Sequence, residues 1–152
     1  MQYLVDTGIW LRLFDRTDPE HANIRQTLRT LRANGHVLVA CPQNIAEFWN
    51  VSTRPASARG GYGKKVAITE LRVQFIERSA LLLDESPATY RHWRGLLSQH
   101  QIQGLAVYDA RLVSMMQVAG IDYVLTLNVG DFVRYQGIVA VTPQGFLASL
   151  RP

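Results

Sequence analysis

Short runs of β-branched and aliphatic residues, each followed by a stretch with helical spacing, recur along this chain. They constrain its fold more than any other feature. Tyr3 to Asp6 reads as a strand, and Ile9, Leu11 and Leu13 continue it as a helix. His21 to Ala33 sets Ile24, Leu28 and Leu31 on one helical face and closes at Asn34-Gly35. Val37 to Cys41 predicts a second strand. Pro42 then opens a helix to about Val51, since proline has no amide hydrogen to lose at a first helical position. Beyond a polar loop come a helix near Val66–Arg78, a strand Leu81–Leu83, and a helix from Pro87 to about Gln99. A helix over Ala106–Ala119, stopped by Gly120, precedes strands at Tyr123–Leu127 and Ile138–Val141 and a short final helix. Such alternation predicts an α/β fold, a mostly parallel sheet with helices on both faces. In folds of that kind, ligands bind beyond the carboxyl ends of the strands.

The chain has 152 residues and neither repeats nor linkers, so one domain over 1–152 is expected. With 47% hydrophobic and 18% charged residues it has enough apolar mass to build a core. No apolar run approaches the roughly 18 residues of a membrane span. The first residues, with a carboxylate at Asp6 and no basic start, do not read as a signal peptide. Cys41 is the single cysteine, which excludes an internal disulfide and a cysteine-based zinc site and fits a cytoplasmic location. The net charge of +4 is carried almost wholly by arginine, Lys64 and Lys65 being the only lysines. Guanidinium groups hold phosphate through a planar fork of donors, so the bias leans toward a polyanionic partner.

Most of the twelve acidic residues lie in turns or on polar helix faces. Four do not. Asp6 ends the first strand. Glu47 is embedded in IAEFWNV. Asp109 lies in the first turns of an apolar helix, LAVYDARLVSMMQVAG. Asp131 follows the fourth strand in TLNVGDF. Each has an ordinary explanation: a helix cap for Asp6, an outward or arginine-paired side chain for Glu47, a macrodipole partner for Asp109, a turn former for Asp131. Taken together they predict a cluster, because Asp6, Asp109 and Asp131 fall at the same edge of the sheet. No lysine or arginine accompanies them at matching spacing. Crowded carboxylates repel one another unless a cation joins them. An all-oxygen set selects Mg²⁺ or Mn²⁺, and such sites suit phosphoryl chemistry.

The triplet Asp6-Thr7-Gly8 also occurs in aspartic proteases, but those need two such loops in an all-β fold. A haloacid-dehalogenase-type phosphatase needs a second aspartate where Gly8 stands.

With YLVDTGIW, NIAEFWNV, VYDARLV and LTLNVGDF in this order, the chain resembles PIN-domain proteins, most of all the VapC-type toxins of bacterial toxin–antitoxin pairs. The resemblance covers essentially its whole length. It implies a PIN-like three-layer sandwich with a five-stranded sheet of order 3-2-1-4-5. It also implies a metal-dependent endoribonuclease that hydrolyses RNA through metal-activated water. Asp6, Glu47, Asp109 and Asp131 match the acidic site, with Thr7, Thr126 and Asn128 as polar supports. A cognate antitoxin and a homodimer are implied as partners. Gly8 stands where the family usually has a polar residue, and some relatives carry an acid at the position of Asn128. The fourth ligand is therefore Asn128, Asp131 or shared between them. Alternatives from the same resemblance are an RNA-binding or scaffold domain with little cleavage, and a nuclease of rRNA maturation or DNA flaps.

One loop stands apart. TRPASARGGYGKK offers Arg54, Arg59, Lys64 and Lys65 around Tyr62 and reads as a mobile, basic segment able to hold an RNA backbone. Tyr90, Trp93 and Leu97 form an apolar stripe read as core, and His92 and His100 have no expected catalytic part.

Overall fold

The structure, a computed structural model, describes residues 1–150. Five strands form one sheet of order β3-β2-β1-β4-β5, and every neighbouring pair is parallel. The strands are β1 (Gln2–Val5), β2 (Val37–Ala40), β3 (Leu81–Leu82), β4 (Tyr123–Leu125) and β5 (Val139–Val141). The helices are α1 (Thr7–Leu13), α2 (His21–Ala33), α3 (Pro42–Thr53), α4 (Val66–Ser79), α5 (Pro87–Gln99), α6 (Ala106–Ala119) and α7 (Pro143–Ser149). The expected order and the helical layers on both faces are therefore present. Among the described residues, no helix is long and apolar enough to cross a membrane.

Alternation along β1 divides the core. Tyr3 and Val5 face a cluster with Ile9, Trp10, Ile24 and Leu31, while Leu4 faces the opposite one with Val113, Met116 and Val124. Leu4, Val5, Ile24 and Leu31 are completely buried, and each such side chain contributes about 1.5–3 kcal/mol relative to exposure. Because β1 lies mid-sheet with both faces covered, its apolar run is continuous.

Strand ends are shorter than the sequence suggests. β3 has two residues, both exposed, at the sheet edge. β4 ends at Leu125; the next residue, Thr126, still donates its backbone N–H to the Val141 carbonyl at 2.9 Å and turns its hydroxyl to Asp6. Helix ends follow local chemistry. Ser86 accepts from the Thr89 N–H at the start of α5, and Gly120, at φ +68°, closes α6 in a left-handed conformation that side chains disfavour.

The 54–65 segment is folded back, not loose. Backbone N–H groups of Tyr62, Gly63 and Lys64 donate to the carbonyls of Val51, Arg54 and Ser52 at 2.8–3.1 Å, joining the loop to the end of α3. Glycines permit this close approach, and a Cβ on Gly61 would stand 2.2 Å from the Pro55 carbonyl oxygen. Composition signals irregular backbone but not its hydrogen-bond partners.

Candidate active site

The four acids are delivered by four different elements at the carboxyl edge of the sheet. Asp6 is the N-cap of α1. One carboxylate oxygen accepts from the Thr7 N–H at 2.7 Å, and the other accepts from the Thr126 hydroxyl at 2.8 Å. Capping and site membership are thus compatible roles of one side chain. Glu47, in the second turn of α3, accepts from the Thr7 hydroxyl at 2.8 Å and from the Gln43 amide at 2.6 Å. Asp109 lies in the first turn of α6 and is half-buried. Asp131 closes a 3-10 turn, Val129–Asp131, and is exposed.

Their charges act on one another. Burial first, and then the charges of Asp131, Asp6 and Glu47, raise the Asp109 carboxyl to about 6, with Arg134 opposing them. Burial also raises Asp6. Hydrogen bonds from Thr126 and Thr7 offset part of that rise, and Glu47 and Asp131 add to it. Arg134 is thus a basic neighbour that helical spacing did not reveal. The ion pairs among the described residues, Arg12–Asp18 and Arg111–Glu85, leave all four acids without a salt-bridge partner.

The supports act in distinct ways. Thr7 and Thr126 are buried and donate to Glu47 and Asp6. Asn128 contributes its backbone, whose N–H donates to the Thr126 hydroxyl at 3.0 Å, and its side chain is exposed. Gly8 leaves room for Arg12, whose guanidinium donates to the Gly8 carbonyl.

Two residues outside the sequence-derived set complete the framework. Asn44 accepts from the Cys41 N–H at 3.0 Å and donates to the Thr7 hydroxyl at 3.1 Å, tying the start of α3 to the start of α1. The Gln43 amide spans Glu47 and the Tyr108 carbonyl, so one side chain links α3 to α6 beside Asp109. Its own carbonyl oxygen is buried without a donor. The available signal was spacing: Gln43 and Asn44 precede Glu47 by four and three residues, which sets them on its helical face.

Arg54, Arg59, Lys64 and Lys65 are elsewhere. The Arg54 guanidinium donates to the Arg59 carbonyl within its own loop at 3.1 Å. Lys64 lowers the Asp15 carboxyl, though less than the Thr17 hydrogen bonds do, and Tyr62 lies near Arg12, Asp15 and Asp18. The loop therefore packs by the turn after α1. Tyr90 is exposed and stands edge-on to Trp93, whose indole N–H donates to the Val107 carbonyl, so the expected core stripe is only partly buried. Cys41 is buried and its thiol is pushed up to about 11 by desolvation, which makes it an inert core group.

The donor chemistry fits a hard divalent ion: carboxylates, half-buried or at the surface, with no histidine or cysteine ligand among them. Among the described residues, however, no three such groups converge closely enough to enclose an ion as they stand. Neither the Asp109 nor the Asp131 carboxylate makes a hydrogen bond among the described residues.

None of the curated proteins matches this sequence. Solved structures do match in fold. VapBC2 from Rickettsia felis, bound to a DNA fragment of its promoter, is 16% identical with a TM-score of 0.67, covering 93% of this chain and 98% of that one. A toxin–antitoxin complex from Klebsiella pneumoniae is 19% identical at TM-score 0.63, with 93% and 97% covered. VapC20 from Mycobacterium tuberculosis, a sarcin–ricin loop cleaving toxin, is 17% identical at 0.59, with 80% and 86% covered. The PIN domain family model matches residues 3–137, a span that holds all four acids from Asp6 to Asp131, and the chain belongs to the PIN-domain family.

Proposed function

We propose that this PIN-domain protein is a Mg²⁺- or Mn²⁺-dependent endoribonuclease, the toxin of a toxin–antitoxin pair, acting in the cytoplasm. One observation carries the reading: Asp6, Glu47, Asp109 and Asp131 gather at one sheet edge without a salt-bridge partner among the described residues, and burial, together with the other three charges, lifts Asp109 to about 6. Repulsion of that kind is a cost to the fold that a divalent cation would remove.

Asp6, Glu47, Asp109 and Asp131 would hold the ion, whose chemistry is to acidify water and neutralise charge on a phosphodiester. The chain's own residues supply orientation. Thr7 and Thr126 fix Asp6 and Glu47 through their hydroxyls, leaving the outer acids, Asp109 and Asp131, to adjust to substrate. The fold likeness to toxin–antitoxin complexes supports a cognate antitoxin as partner, and a homodimer is proposed with it as the assembled form.

A second reading, an RNA-binding PIN domain with little cleavage, is favoured by the lack of three converged ligands among the described residues. Incubating purified protein with RNA in Mg²⁺ or Mn²⁺, with and without chelator, separates them. The nuclease reading expects cleavage that stops with chelator and falls at least about a hundredfold in Asp6→Asn or Asp109→Asn, as losing a charge-stabilising group does. Equal cleavage by well-folded Asp6→Asn protein would sink it.

A further inference from the structure

Gln43 stands in the first turn of α3 with only 4% of its surface exposed, and helix formation does not account for it. Its neighbour Asn44 has a structural task, closing the capping box of α3 through the Cys41 N–H. Gln43 caps nothing. On a helix surface, a glutamine four residues before a glutamate is an ordinary neighbouring pair. Here the pair is buried, and the amide nitrogen has a second partner. It donates to Oε1 of Glu47 at 2.6 Å and to the Tyr108 carbonyl at 3.0 Å. Both neighbours are acceptors, so the nitrogen and not the oxygen must face them. The Gln43 carbonyl oxygen is left buried with no donor, a cost that an apolar side chain of similar size would avoid.

This link crosses the sheet edge. α3 packs on α1 and α4, and its Phe48 belongs to the core cluster on one face of the sheet. α6 packs on α5, and its Ala110, Val113 and Met116 belong to the cluster on the other face. Among the described residues, the bond from Gln43 to Tyr108 is the one side-chain hydrogen bond between α3 and α6. Tyr108 directly precedes Asp109, so Gln43 joins the element that carries Glu47 to the element that carries Asp109. The other Glu47 oxygen accepts from the Thr7 hydroxyl at 2.8 Å. Each oxygen thus receives one donor and keeps a lone pair for a cation. We propose that Gln43 is a positioning residue, which sets the affinity of the acidic edge for a divalent ion by holding Glu47 against the start of α6. The inference rests on the metal-dependent reading above and adds a neutral residue to it.

The experiment titrates Mn²⁺ into the whole protein and reads free ion from its paramagnetic resonance signal, so that no RNA enters the measurement. Gln43→Met should raise the Mn²⁺ dissociation constant about tenfold, as loss of a group that orients a metal ligand does. Gln43→Asn keeps the amide but is too short to span both acceptors. It should lose nearly as much, and it carries the test if Gln43→Met does not fold. Metal-free thermal melts establish the folding of each variant. A second arm separates positioning from packing. With Glu47→Gln already in place, Gln43→Met should change the dissociation constant by less than about twofold, because the two residues act as one unit. Equal losses in both backgrounds would overturn the proposal, and so would an unchanged dissociation constant in the single variants. Mn²⁺ binding that ignores Gln43 removes this inference alone, whereas no Mn²⁺ binding by the unaltered protein removes the metal-dependent reading and this inference with it.

Discussion

Asp109 shows how one residue carries both a cost and a use. An unfolded aspartate titrates near 3.9, whereas here burial and three neighbouring acids hold the carboxyl at about 6. The folded chain therefore binds that proton more tightly than the unfolded chain. The resulting penalty is absent below about pH 4, grows between about 4 and 6, and is full above 6. Without metal, Asp109→Asn should be more stable than the unaltered protein at pH 7.5 by about 1 kcal/mol, once the shift is discounted for a half-buried group. Near pH 3.5 the two should unfold alike. Urea titrations at both values check this, and a variant less stable at pH 7.5 would mean that Asp109 has a stabilising partner in the fold. The four acids were legible in the sequence because a carboxylate among apolar neighbours is conspicuous. Gln43 and Asn44 were not. Their partners, Tyr108 and Thr7, lie 65 and 37 positions away, and neutral amides raise no electrostatic alarm.

At the scale of elements, periodicity located the helices and most strands, because a buried face imposes a repeat, while β3, both of whose residues are exposed, stood out only as a short apolar run. The 54–65 loop lies outside that logic. Its shape depends on backbone hydrogen bonds to α3 and on Gly61, where a methyl group would strike the carbonyl oxygens of Pro55 and Arg54 at 2.2 and 2.7 Å. Gly61→Ala should cost about 1–3 kcal/mol and expose the loop to trypsin at Arg59, Lys64 and Lys65. Calorimetry and timed proteolysis measure both effects, and an unchanged melting temperature with unchanged digestion would mean that the loop opens freely.

The whole molecule responds to a ligand of the acidic edge through mass action. An ion that binds only the folded chain stabilises it by about 2.7 kcal/mol at a hundred times its dissociation constant. Mn²⁺ or Mg²⁺ should therefore raise the melting temperature of the unaltered protein, with a smaller rise for Asp6→Asn. No shift at millimolar levels of either ion, or a preference for Zn²⁺, would remove the oxygen-ligand reading. Assembly of that edge also depends on order along the chain. Asp6 is held by Thr126, 120 positions later, and β1 pairs with β4 from Tyr123 onward. Contacts of such separation form only after the intervening chain is available. During translation, the first strand has left the ribosome long before its distal partner exists. A nascent copy thus carries Asp6 with no Thr126 to orient it and no Asp131 beside it. If the finished protein cuts RNA, the ribosome making it is spared by this delay, because the cutting edge closes only after synthesis has passed Thr126.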